Sequence, residues 1–574
     1  MSYSAREPVR GVHSIDEARE LPDGPAGRLG ERLVQAGLVN ETELAFALQK
    51  QAVEGGRLGN LVVAHGLTTQ KEIARLLADQ SDYPVHFVDM DALQTPQPEA
   101  TEPFNQSLCL SRGFLPLYLD ANTVTVLLGD GQPAEITDLI RRRTGWDVVF
   151  LQGEFSRVAR AIRQHYFFSE NPPEQVIERE IRLLERDIDR VYSPERLLEF
   201  ILTLAVRERA TDVHIAPAEH SRHVLFRVDG VLRPMFALSM VLDRLNSYIK
   251  LSADMDVSEQ RLPQDGSFSR MVLDQPFTLR ISTLIAEHGE RLVLRLLPEH
   301  SELDKLQDLG FIEEDVRKLE ELFSRPNGLI LLTGPTGSGK STTLHAALRM
   351  QRLIERNILT VEDPVEYRVP AVCQTETNQR AGYGFSNALR YFLRHDPDVI
   401  LVGEVRDEET ARAAVDAAST GHLVLSTLHV GSIFGVVPRL KLLGVDVETI
   451  AENLIGVINQ RLVRRICPMC RIAATPTDHQ REWLSLGPLQ PVFRGIGCQH
   501  CRETGYLGRV PIYEILLPNR DIADAIAVDS PRGALRHIAE VNGMKDIGGI
   551  ARQRIIEGET TIEEIARTVG KDVL

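Results

Sequence analysis

The chain has 574 residues, 43% of them hydrophobic and 25% charged, an ordinary globular composition that predicts about four domains. Its 65 basic and 81 acidic residues give a formal net charge of −16, which argues against a whole-chain attraction to nucleic acid or anionic lipid. No apolar run approaches the roughly 18 residues that span a bilayer, so no transmembrane segment is predicted.

The first segment, residues 1–27, is dominated by Pro, Gly, Ser and charged residues and is predicted to be a flexible leader. It contains no hydrophobic stretch that could serve as a signal peptide, so we expect the chain to stay in the cytoplasm. Ordered structure is expected from Arg28 onwards.

A long internal repeat follows the leader. The pattern RLGxx(apolar)(apolar)xxG(apolar)(apolar)xxxxLxxxLxxQ runs from Arg28 to Gln51 and is nearly reproduced from Arg57 to Gln80 at a period of 29 residues, with Thr68 and Ile73 as departures. In each copy a glycine ends a first helix and a capping-box pattern begins a second one. The repeat therefore predicts two helical hairpins, assigned to a first domain over 28–95.

The middle of the chain changes character twice. Strand-like and helical runs alternate over 96–168, which predicts a small α/β domain. The charged stretch 169–190 is interpreted as a linker that becomes helical towards its end. Residues 191–300 are predicted to form a domain of helix, hairpin and further strands. The remaining residues, 301–574, are predicted to form an α/β domain with a cysteine module at about 460–515 and a helical C-terminal region.

A phosphate-binding loop is the most specific motif in this last domain. Residues 334–341, GPTGSGKS, fit GxxxxGK[ST] between a strand-like apolar run and a helical run. Backbone N–H groups and a helix N-terminus would face the phosphates, Lys340 would add a positive charge, and the Ser341 hydroxyl would ligate Mg²⁺. The residues predicted to bind ATP and Mg²⁺ are Gly334, Pro335, Thr336, Gly337, Ser338, Gly339, Lys340, Ser341 and Thr342.

Carboxylates and histidines follow the next predicted strands. The strand 358–361 leads into Glu362-Asp363-Pro364-Val365-Glu366, and a later strand ends at Glu404. One such carboxylate can hold the Mg²⁺ shell and another can act as general base, although solvated loop charges are the alternative. His422 and His429 bracket a further strand and are interpreted either as structural residues or as sensors of the γ-phosphate.

Together these segments resemble the secretion ATPase superfamily that powers type II secretion and type IV pilus assembly, over about residues 28–570. The resemblance implies an α/β multidomain fold in which a RecA-like core follows an α+β N2 domain, a small α/β N1 domain and a helical tandem-repeat domain. It is carried by the phosphate loop, an aspartate box at 360–366, a Walker B segment at 396–407 and a histidine box at 420–429. After the histidine box the family usually has Thr-Asn, whereas this chain has Val430-Gly431.

The resemblance also implies roles for individual residues. Glu366 would be the catalytic base, Glu404 would hold Mg²⁺ and water, and His422 and His429 would contact or sense the phosphates. Family members bring arginines from the N2 domain to the nucleotide. On the corresponding strands of this chain stand Arg227, Arg280 and Arg295, for which surface arginines on a sheet are the alternative.

Four cysteines form two Cys-x-x-Cys pairs, Cys467/Cys470 and Cys498/Cys501, separated by 27 residues. In a reducing compartment four thiolates suit a closed tetrahedral Zn²⁺ site better than disulfides. Free thiols are the alternative. The residues around the pairs resemble those of the type II and pilus-extension ATPases.

The tandem repeat looks like the domain that binds cyclic di-GMP in some of these ATPases. Arginine side chains would meet guanine edges or phosphates, apolar residues would stack on the bases, and glutamines would hydrogen-bond. A helical docking domain without a ligand is the alternative. The predicted ligand residues are Arg28, Leu29, Gly30, Leu33, Gln51, Arg57, Leu58, Gly59 and Gln80.

These features favour a cytoplasmic, homo-hexameric ATPase that drives pseudopilus assembly and protein export by a type II secretion system under cyclic di-GMP control. Its expected partners are cytoplasmic domains of inner-membrane platform proteins, through which alone it would associate with the membrane. A type IV pilus extension ATPase is the nearest alternative. A nucleic-acid translocase is disfavoured by the acidic balance and the lack of a basic stripe. A non-hydrolysing scaffold is the last alternative, suggested by the altered turn after His429.

Overall fold

The computed structural model shows a chain of several α/β and helical units, which confirms the predicted fold class. The predicted leader, together with Arg28, lies outside the described residues. Within the described part of the chain no helix is long and apolar enough to cross a membrane. The structure describes residues 29–80, 83–90, 93, 95–186, 193–239, 243–298, 305–351, 353–487 and 490–570.

The helical repeat unit, residues 29–80, consists of the two predicted hairpins. Both predicted capping boxes are present: Asn40 and Glu43 exchange hydrogen bonds at the start of one second helix. At the start of the other, the Thr69 N–H donates to Glu72 Oε2 over 3.2 Å and the Glu72 N–H donates to Thr69 Oγ1 over 3.3 Å. The helices are α1 (Leu29–Gln35), α2 (Glu41–Glu54), α3 (Leu58–Ala64) and α4 (Gln70–Gln80).

The four-stranded unit, residues 83–170, holds the predicted small α/β domain but begins earlier than predicted. Its first strand pairs in parallel with its last, Val85 opposite Phe150, so the predicted boundary at residue 95 is wrong. A three-residue strand is too short to show an alternating pattern. The sheet order is β1-β4-β3-β2. The elements are β1 (Val85–Phe87), α5 (Pro98–Thr101), α6 (Gln106–Arg112), β2 (Phe114–Asp120), β3 (Thr123–Leu128), α7 (Pro133–Thr144), β4 (Asp147–Gln152) and α8 (Phe155–Glu170).

The stretch predicted as a linker is mostly a packed helix. Helix α9 spans Pro173–Arg186, so helical structure begins near the start of the stretch and not only towards its end. Val176 and Leu184 are buried in the hydrophobic core of the next unit. Glu180 is buried as well, and the other charged residues of this amphipathic helix are exposed.

The six-stranded unit, residues 193–298, is an antiparallel sheet in the order β7-β6-β5-β10-β9-β8. Side chains alternate along its strands, so that Leu294 is buried in the core while Arg295 points to the opposite face. The arginine-bearing face is therefore free to meet another part of the chain. The elements are α10 (Glu195–Arg207), β5 (Ala210–Pro217), β6 (Ser221–Val228), β7 (Val231–Ser239), α11 (Asp243–Ser252), β8 (Asp265–Val272), β9 (Gln275–Ala286) and β10 (Gly289–Pro298).

The core unit, residues 305–570, is built on a seven-stranded sheet in the order β13-β12-β14-β15-β11-β16-β19. All neighbouring strands are parallel except the β16 and β19 pair. Apolar clusters cover both faces, which is why its inner strands are continuous apolar runs. The strands are β11 (Gly328–Thr333), β12 (Ile358–Glu362), β13 (Cys373–Glu376), β14 (Val399–Val402), β15 (Leu423–Leu428), β16 (Leu454–Ile466) and β19 (Tyr506–Leu516).

Helices and a small two-stranded sheet complete the core unit. The predicted helical C-terminal region is present as four consecutive helices after β19. The two-stranded sheet joins β17 (Arg471–Ala474) to β18 (Val492–Gly495). The helices are α12 (Glu313–Phe323), α13 (Lys340–Met350), α14 (Phe385–Phe392), α15 (Glu408–Ser419), α16 (Val436–Leu442), α17 (Val447–Asn453), α18 (Asp478–Leu484), α19 (Arg520–Ala527), α20 (Arg532–Val541), α21 (Ile547–Ile556) and α22 (Ile562–Val569).

A buried carboxylate fixes the last helix to the sheet, and its replacement should cost stability. The Glu564 side chain is 0% exposed and pairs with Arg464 and Arg567. Burial opposes its ionisation, but the two guanidinium groups outweigh that effect and hold the pKa of Glu564 below its ordinary value of 4.5. We expect Glu564→Gln to lower the free energy of unfolding at pH 7 by about 1.5–3 kcal/mol, because the charge-assisted hydrogen bonds that Arg464 and Arg567 donate to its carboxylate are weakened.

The sign of the pH dependence follows from the lowered pKa. The ionised pair contributes fully above the unfolded-state pKa, and its contribution is lost as the pH falls through the folded-state value. Urea unfolding should therefore show a difference between wild type and variant at pH 7 that shrinks below about pH 4.5. The matched control is Glu563→Gln, an exposed neighbour in the same helix. An equal loss in both variants would contradict the assignment.

Candidate active site

The nine residues predicted to bind the nucleotide form one loop and the first helical turn after β11. Gly334 has a φ of +135°, and a Cβ there would lie 2.4 Å from the carbonyl oxygen of Gln460. Gly339, at φ +86°, immediately precedes α13. Only glycine fits this path, which turns the free N–H groups at the start of α13 towards the loop. The arrangement is a phosphate-binding cradle.

The lysine of the loop is held in place and faces two carboxylates. Lys340 Nζ donates to the carbonyl oxygens of Gly334 and Pro335 over 2.9 and 3.0 Å. Burial lowers the pKa of Lys340, and the charges of Glu404 and Glu366 oppose that shift. The ammonium group therefore lies in the middle of the predicted site, close to both candidate catalytic acids.

Gln460, on β16, supports the phosphate loop through hydrogen bonds. Gln460 is 1% exposed. Its Nε2 donates to the Ser338 carbonyl oxygen over 2.7 Å, and its Oε1 accepts from Thr343 Oγ1 over 3.1 Å. Because these bonds join the loop and the first turns of α13 to β16, the loop shape is supported by the sheet.

A buried pair of a histidine from α13 and a glutamate from β12 lies next to the phosphate loop. His345 Nε2 is 3.2 Å from Glu362 Oε2, and the two side chains are 2% and 6% exposed. His345 Nδ1 is 2.7 Å from the Ser341 carbonyl oxygen. Glu362 also accepts hydrogen bonds from Thr360 and Gln374. With its oxygens engaged, Glu362 is a structural carboxylate that ties β12 to α13.

Glu366 is the carboxylate that remains for chemistry on this side of the site. It is half-buried, four residues beyond the end of β12. Its charge acts on Lys340 and on Arg280 of the six-stranded unit, so it is within electrostatic reach of both cations. A general base for water attacking the γ-phosphate has to occupy such a position.

The Walker B carboxylate is part of a small charged network. Glu404 is paired with Arg406, and its Oε2 is 3.1 Å from His429 Nε2. Arg406 also approaches Asp363, with 3.9 Å between Nη1 and Oδ2. The Glu404 hydrogen bond raises the pKa of Arg406. Glu404 and His429 thus meet at the carboxyl edge of the sheet, as predicted for residues that face a nucleotide.

For His422 the structure favours the structural interpretation over contact with or sensing of the phosphates. His422 precedes β15, whose first residue lies opposite Val399 and Gly328 at the amino ends of their strands. Its Nδ1 is 2.9 Å from the Ala417 carbonyl oxygen. Six strand residues, about 20 Å, separate it from the loop edge of the sheet.

The three predicted arginines lie in one row across the six-stranded sheet. Arg227 pairs in register with Asp212, Asp212 with Arg295, and Arg295 with Arg280. Arg295 Nε donates to Asp212 Oδ1 over 3.0 Å, while Arg227 Nε is 3.7 Å from Asp212 Oδ2. Asp212 is 5% exposed, so two of the three guanidinium groups already have a carboxylate on their own sheet.

Arg280 interacts electrostatically with carboxylates of the core unit. Burial lowers the pKa of Arg280, and the carboxylates of Glu366, Glu376 and Asp363 oppose that shift. All three carboxylates belong to the core unit. Arg280 is therefore within electrostatic reach of the acids around the phosphate loop.

The metal-binding prediction is supported by the geometry of the four cysteines. Their sulfur atoms all lie within 4.8 Å of one another, and three of the separations are 3.7, 3.7 and 3.9 Å. Four sulfurs around one Zn²⁺ at 2.3 Å would lie about 3.8 Å apart. The cluster members are Cys467, Cys470, Cys498 and Cys501.

The turn that carries the last cysteine also contacts the six-stranded unit. Arg502 pairs with Glu208 and donates to the Arg207 carbonyl oxygen over 3.0 Å. A few residues further on, the Gly508 N–H donates to Asp229 Oδ2 over 3.2 Å. The cysteine cluster therefore lies where the two units meet.

In the helical repeat unit the pair Leu29-Gly30 lies against the pair Leu58-Gly59. A Cβ at Gly30 would be 3.4 Å from Leu58 Cδ2, and one at Gly59 would be 3.5 Å from Leu29 Cδ2. The leucine of each copy thus covers the glycine of the other. Arg57 extends from this junction, 63% exposed, and donates to Asp130 of the four-stranded unit.

The other predicted ligand residues have mixed positions. Gln51 donates from Nε2 to the Gly56 carbonyl oxygen over 2.8 Å. Leu33 is 0% exposed in the core of the helical repeat unit, so it offers no surface to a ligand and its prediction as a contact is wrong. Arg28 and the side chain of Gln80 lie outside the described residues.

The comparisons with known proteins identify the family. The type II/IV secretion system protein family matches residues 190–567. The chain belongs to this family. It is an ATP hydrolase of the P-loop class. The MshEN domain, a cyclic di-GMP-binding N-terminal domain, matches residues 82–171. That match falls on the four-stranded unit and not on the helical repeat unit before it.

Relatives with both expected roles are found. The type IV pilus assembly ATPase PilB of Thermus thermophilus is 34% identical over 514 residues, which is 86% of this chain and 57% of that protein. The putative type II secretion system protein E of Escherichia coli K12 is 43% identical over 378 residues, 65% of this chain and 76% of that protein. Among solved structures, the Legionella pneumophila ATPase DotB aligns with a TM-score of 0.49 at 20% identity, covering 66% of this chain and 96% of that one.

Sequence reasoning missed several residues of this ATPase site. Gln460 and Asp212 are polar residues inside strands, a signal that could have marked them. His345 lies in the helix after the phosphate loop. A buried histidine there requires a polar partner, but the sequence does not indicate that this partner is Glu362. Arg406 follows Glu404 by two residues in the Walker B segment, for which the resemblance implied a role of the carboxylate only.

Proposed function

We propose that this chain is the cytoplasmic ATPase motor of a type II secretion system and that it works as a homo-hexamer. In this proposal Lys340 and residues 334–342 hold ATP with Mg²⁺, Glu366 activates water, and Glu404 and His429 border the metal and phosphate. It reaches the inner membrane through the cytoplasmic domains of platform proteins. Its product would be the assembly of a pseudopilus that exports protein.

The observation that carries the proposal is the electrostatic interaction between Arg280 and Glu366, which belong to two different units. The phosphate loop and the base belong to the core unit, whereas the arginine belongs to the six-stranded unit. Since a nucleotide bound there would touch both units, its hydrolysis changes what holds them together. Such a change moves one unit relative to the other. In a ring of subunits, the movements of several subunits can act on the same substrate.

A type IV pilus extension ATPase is the second candidate. The pilus ATPase of Thermus thermophilus matches this chain over 86% of its length. The site residues described above would serve either candidate. Only the cellular load distinguishes them.

The test replaces the gene in its own cell with the Glu366→Gln variant. We expect exported proteins to disappear from the medium while surface pili remain, and wild-type complementation to restore export. Loss of pili with export intact would favour the pilus ATPase. If neither is lost, both proposals are wrong.

We further propose that the four-thiol cluster holds a structural Zn²⁺. Burial opposes ionisation of Cys501, but N–H donors from Cys498 and Gly505 help to bring its pKa down to about 7, which suits a metal-binding thiolate. We expect one zinc per chain by elemental mass spectrometry. Cys501→Ser should lose it and melt earlier, because metal binding contributes to the folding free energy. Cys373→Ser, an exposed thiol far from the cluster in sequence, is the control; zinc retained in Cys501→Ser would contradict the site.

We propose cyclic di-GMP as the effector bound at the paired Arg-Leu-Gly starts. Calorimetry of wild type should show micromolar or tighter binding. Arg57→Ala, and likewise Arg28→Ala, should weaken it at least tenfold, because a planar donor to the ligand is lost. The control is Arg32→Ala, an arginine in α1 at a variable position of the repeat. Equal weakening by Arg32→Ala would point to general electrostatics, and no binding at all would leave a docking unit.

A further inference from the structure

The helical repeat unit docks on the core unit through two complementary ion pairs. Lys71 Nζ is 2.5 Å from Asp308 Oδ1, and Lys305 Nζ is 2.6 Å from Glu72 Oε1. Two adjacent residues of opposite charge at the start of α4 thus pair with two residues of opposite charge in the core unit: Lys305, which precedes the turn Leu306–Leu309, and Asp308, which lies within it. The four side chains are between 17% and 32% exposed, so the pairs are partly shielded from water and salt.

Apolar and polar contacts continue the docking surface beside these pairs. Ile354 of the core unit packs against the hydrophobic core of the helical repeat unit. A Cβ at Gly66 would lie 3.1 Å from Leu353 Cδ1, so the backbone of one unit approaches the side chains of the other closely. Asn40 Nδ2 donates to Glu355 Oε1 over 3.3 Å. Both hairpins of the repeat therefore touch the core unit.

The same surface is built from the residues that begin the second helices. Asn40 caps α2. Glu72 caps α4, and Lys305 is the first of the groups that lower its pKa against the effect of burial. Asn40 and Glu72 each stabilise the start of a helix and also contact the core unit. A movement of α2 or α4 within the repeat therefore changes a contact with the core unit directly.

On the core side, the docking surface rests on the helix of the phosphate loop. Leu306, 0% exposed, belongs to the same hydrophobic cluster as Leu344 and Leu348 of α13. Residues 353–355 lie in the short connection between α13 and β12. That connection leads through β12 to the base Glu366. The repeat unit thus touches both the packing of α13 and the segment that follows it.

We propose that this docking surface transmits the ligand state of the helical repeat unit to the phosphate loop through α13. The inference rests on the proposed binding of cyclic di-GMP. Helix α4 has the docking residues at its first turn and the last residue of the ligand motif, Gln80, at its other end. It is a rigid rod of about 16 Å between the two. A ligand that shifts this rod relative to α3 changes the Lys71 and Glu72 contacts, and nucleotide binding changes them from the other side.

Coupling of this kind must be reciprocal, which makes it measurable without turnover. The experiment measures the affinity for cyclic di-GMP by calorimetry with and without a saturating non-hydrolysable ATP analogue, on the full chain. In wild type we expect the two affinities to differ by at least about fivefold. In Lys71→Asp and in Asp308→Lys the ratio should fall to about one. In the double variant Lys71→Asp/Asp308→Lys the reversed pair should restore it.

The control is Lys50→Asp, which removes the lysine of an exposed ion pair with Glu54 on α2, and it should keep the wild-type ratio. Restoration by the double variant excludes simple misfolding as the cause of the single losses. A wild-type ratio of one, or a ratio that the charge reversals leave unchanged, overturns the inference while the effector assignment stands. Absence of cyclic di-GMP binding in wild type removes the effector assignment and the inference with it.

Discussion

Arg280→Ala is expected to lower the turnover of ATP by about a thousandfold or more, the effect of removing an arginine from a phosphoryl-transfer site. Arg280 is the arginine of the row that faces Glu366 and the other core carboxylates. Its charge would stabilise the negative charge that develops on the γ-phosphate. Nucleotide binding should change much less, because the loop and Lys340 that hold the phosphates are untouched.

The row supplies its own controls for this prediction. Arg227→Ala and Arg295→Ala remove the same side chain from the same face of the same sheet. Both arginines interact with Asp212, so their loss should lower turnover by far less than the loss of Arg280. Steady-state phosphate release, with binding of a fluorescent nucleotide measured in parallel, distinguishes the three. Equal losses in all of them would show that the row acts through the fold of the sheet.

Glu366→Gln is expected to lower turnover by about 10²–10⁴-fold while leaving ATP binding intact. The amide keeps the size of the side chain but cannot accept the proton of the attacking water. A variant of this kind should trap ATP, whereas Lys340→Ala should lose nucleotide affinity. Rapid-quench measurement of a single turnover reports the chemical step itself.

The matched control for Glu366 is Glu376→Gln. Glu376 is an exposed carboxylate that also faces Arg280 and accepts a hydrogen bond from the Val365 N–H. If charge near Arg280 were all that mattered, the two substitutions would be equivalent. A tenth or more of wild-type turnover in Glu366→Gln would rule out this residue as the base.

What the sequence could predict here was local. The phosphate loop, the cysteine pairs and the capping boxes are short patterns whose residues are neighbours in the chain, and the structure brings each set together as predicted. Apolar runs likewise predicted the buried strands of the core unit. The residues Gln460, His345 and Asp212 act through partners far away in sequence, which no local pattern shows.

The wrong predictions have the same origin. His422 and His429 lie at the two ends of one strand, and the two ends of a strand lie at opposite edges of a sheet. A sequence pattern does not show this separation in space. Leu33 matches the ligand motif, but the motif's apolar positions serve the core of the hairpin as well as a ligand. The strand Val85–Phe87 is visible only through its pairing with β4.

The contacts of the cysteine-bearing turn have a mechanical consequence. Arg502 holds Glu208 at one point, and Gly508 holds Asp229 at another. Any motion of the six-stranded unit that keeps both contacts is a swing about the line that joins them. Arg280 lies on another strand of that sheet, β9. The cysteine-bearing turn therefore anchors the sheet that carries Arg280 to the core unit at two points.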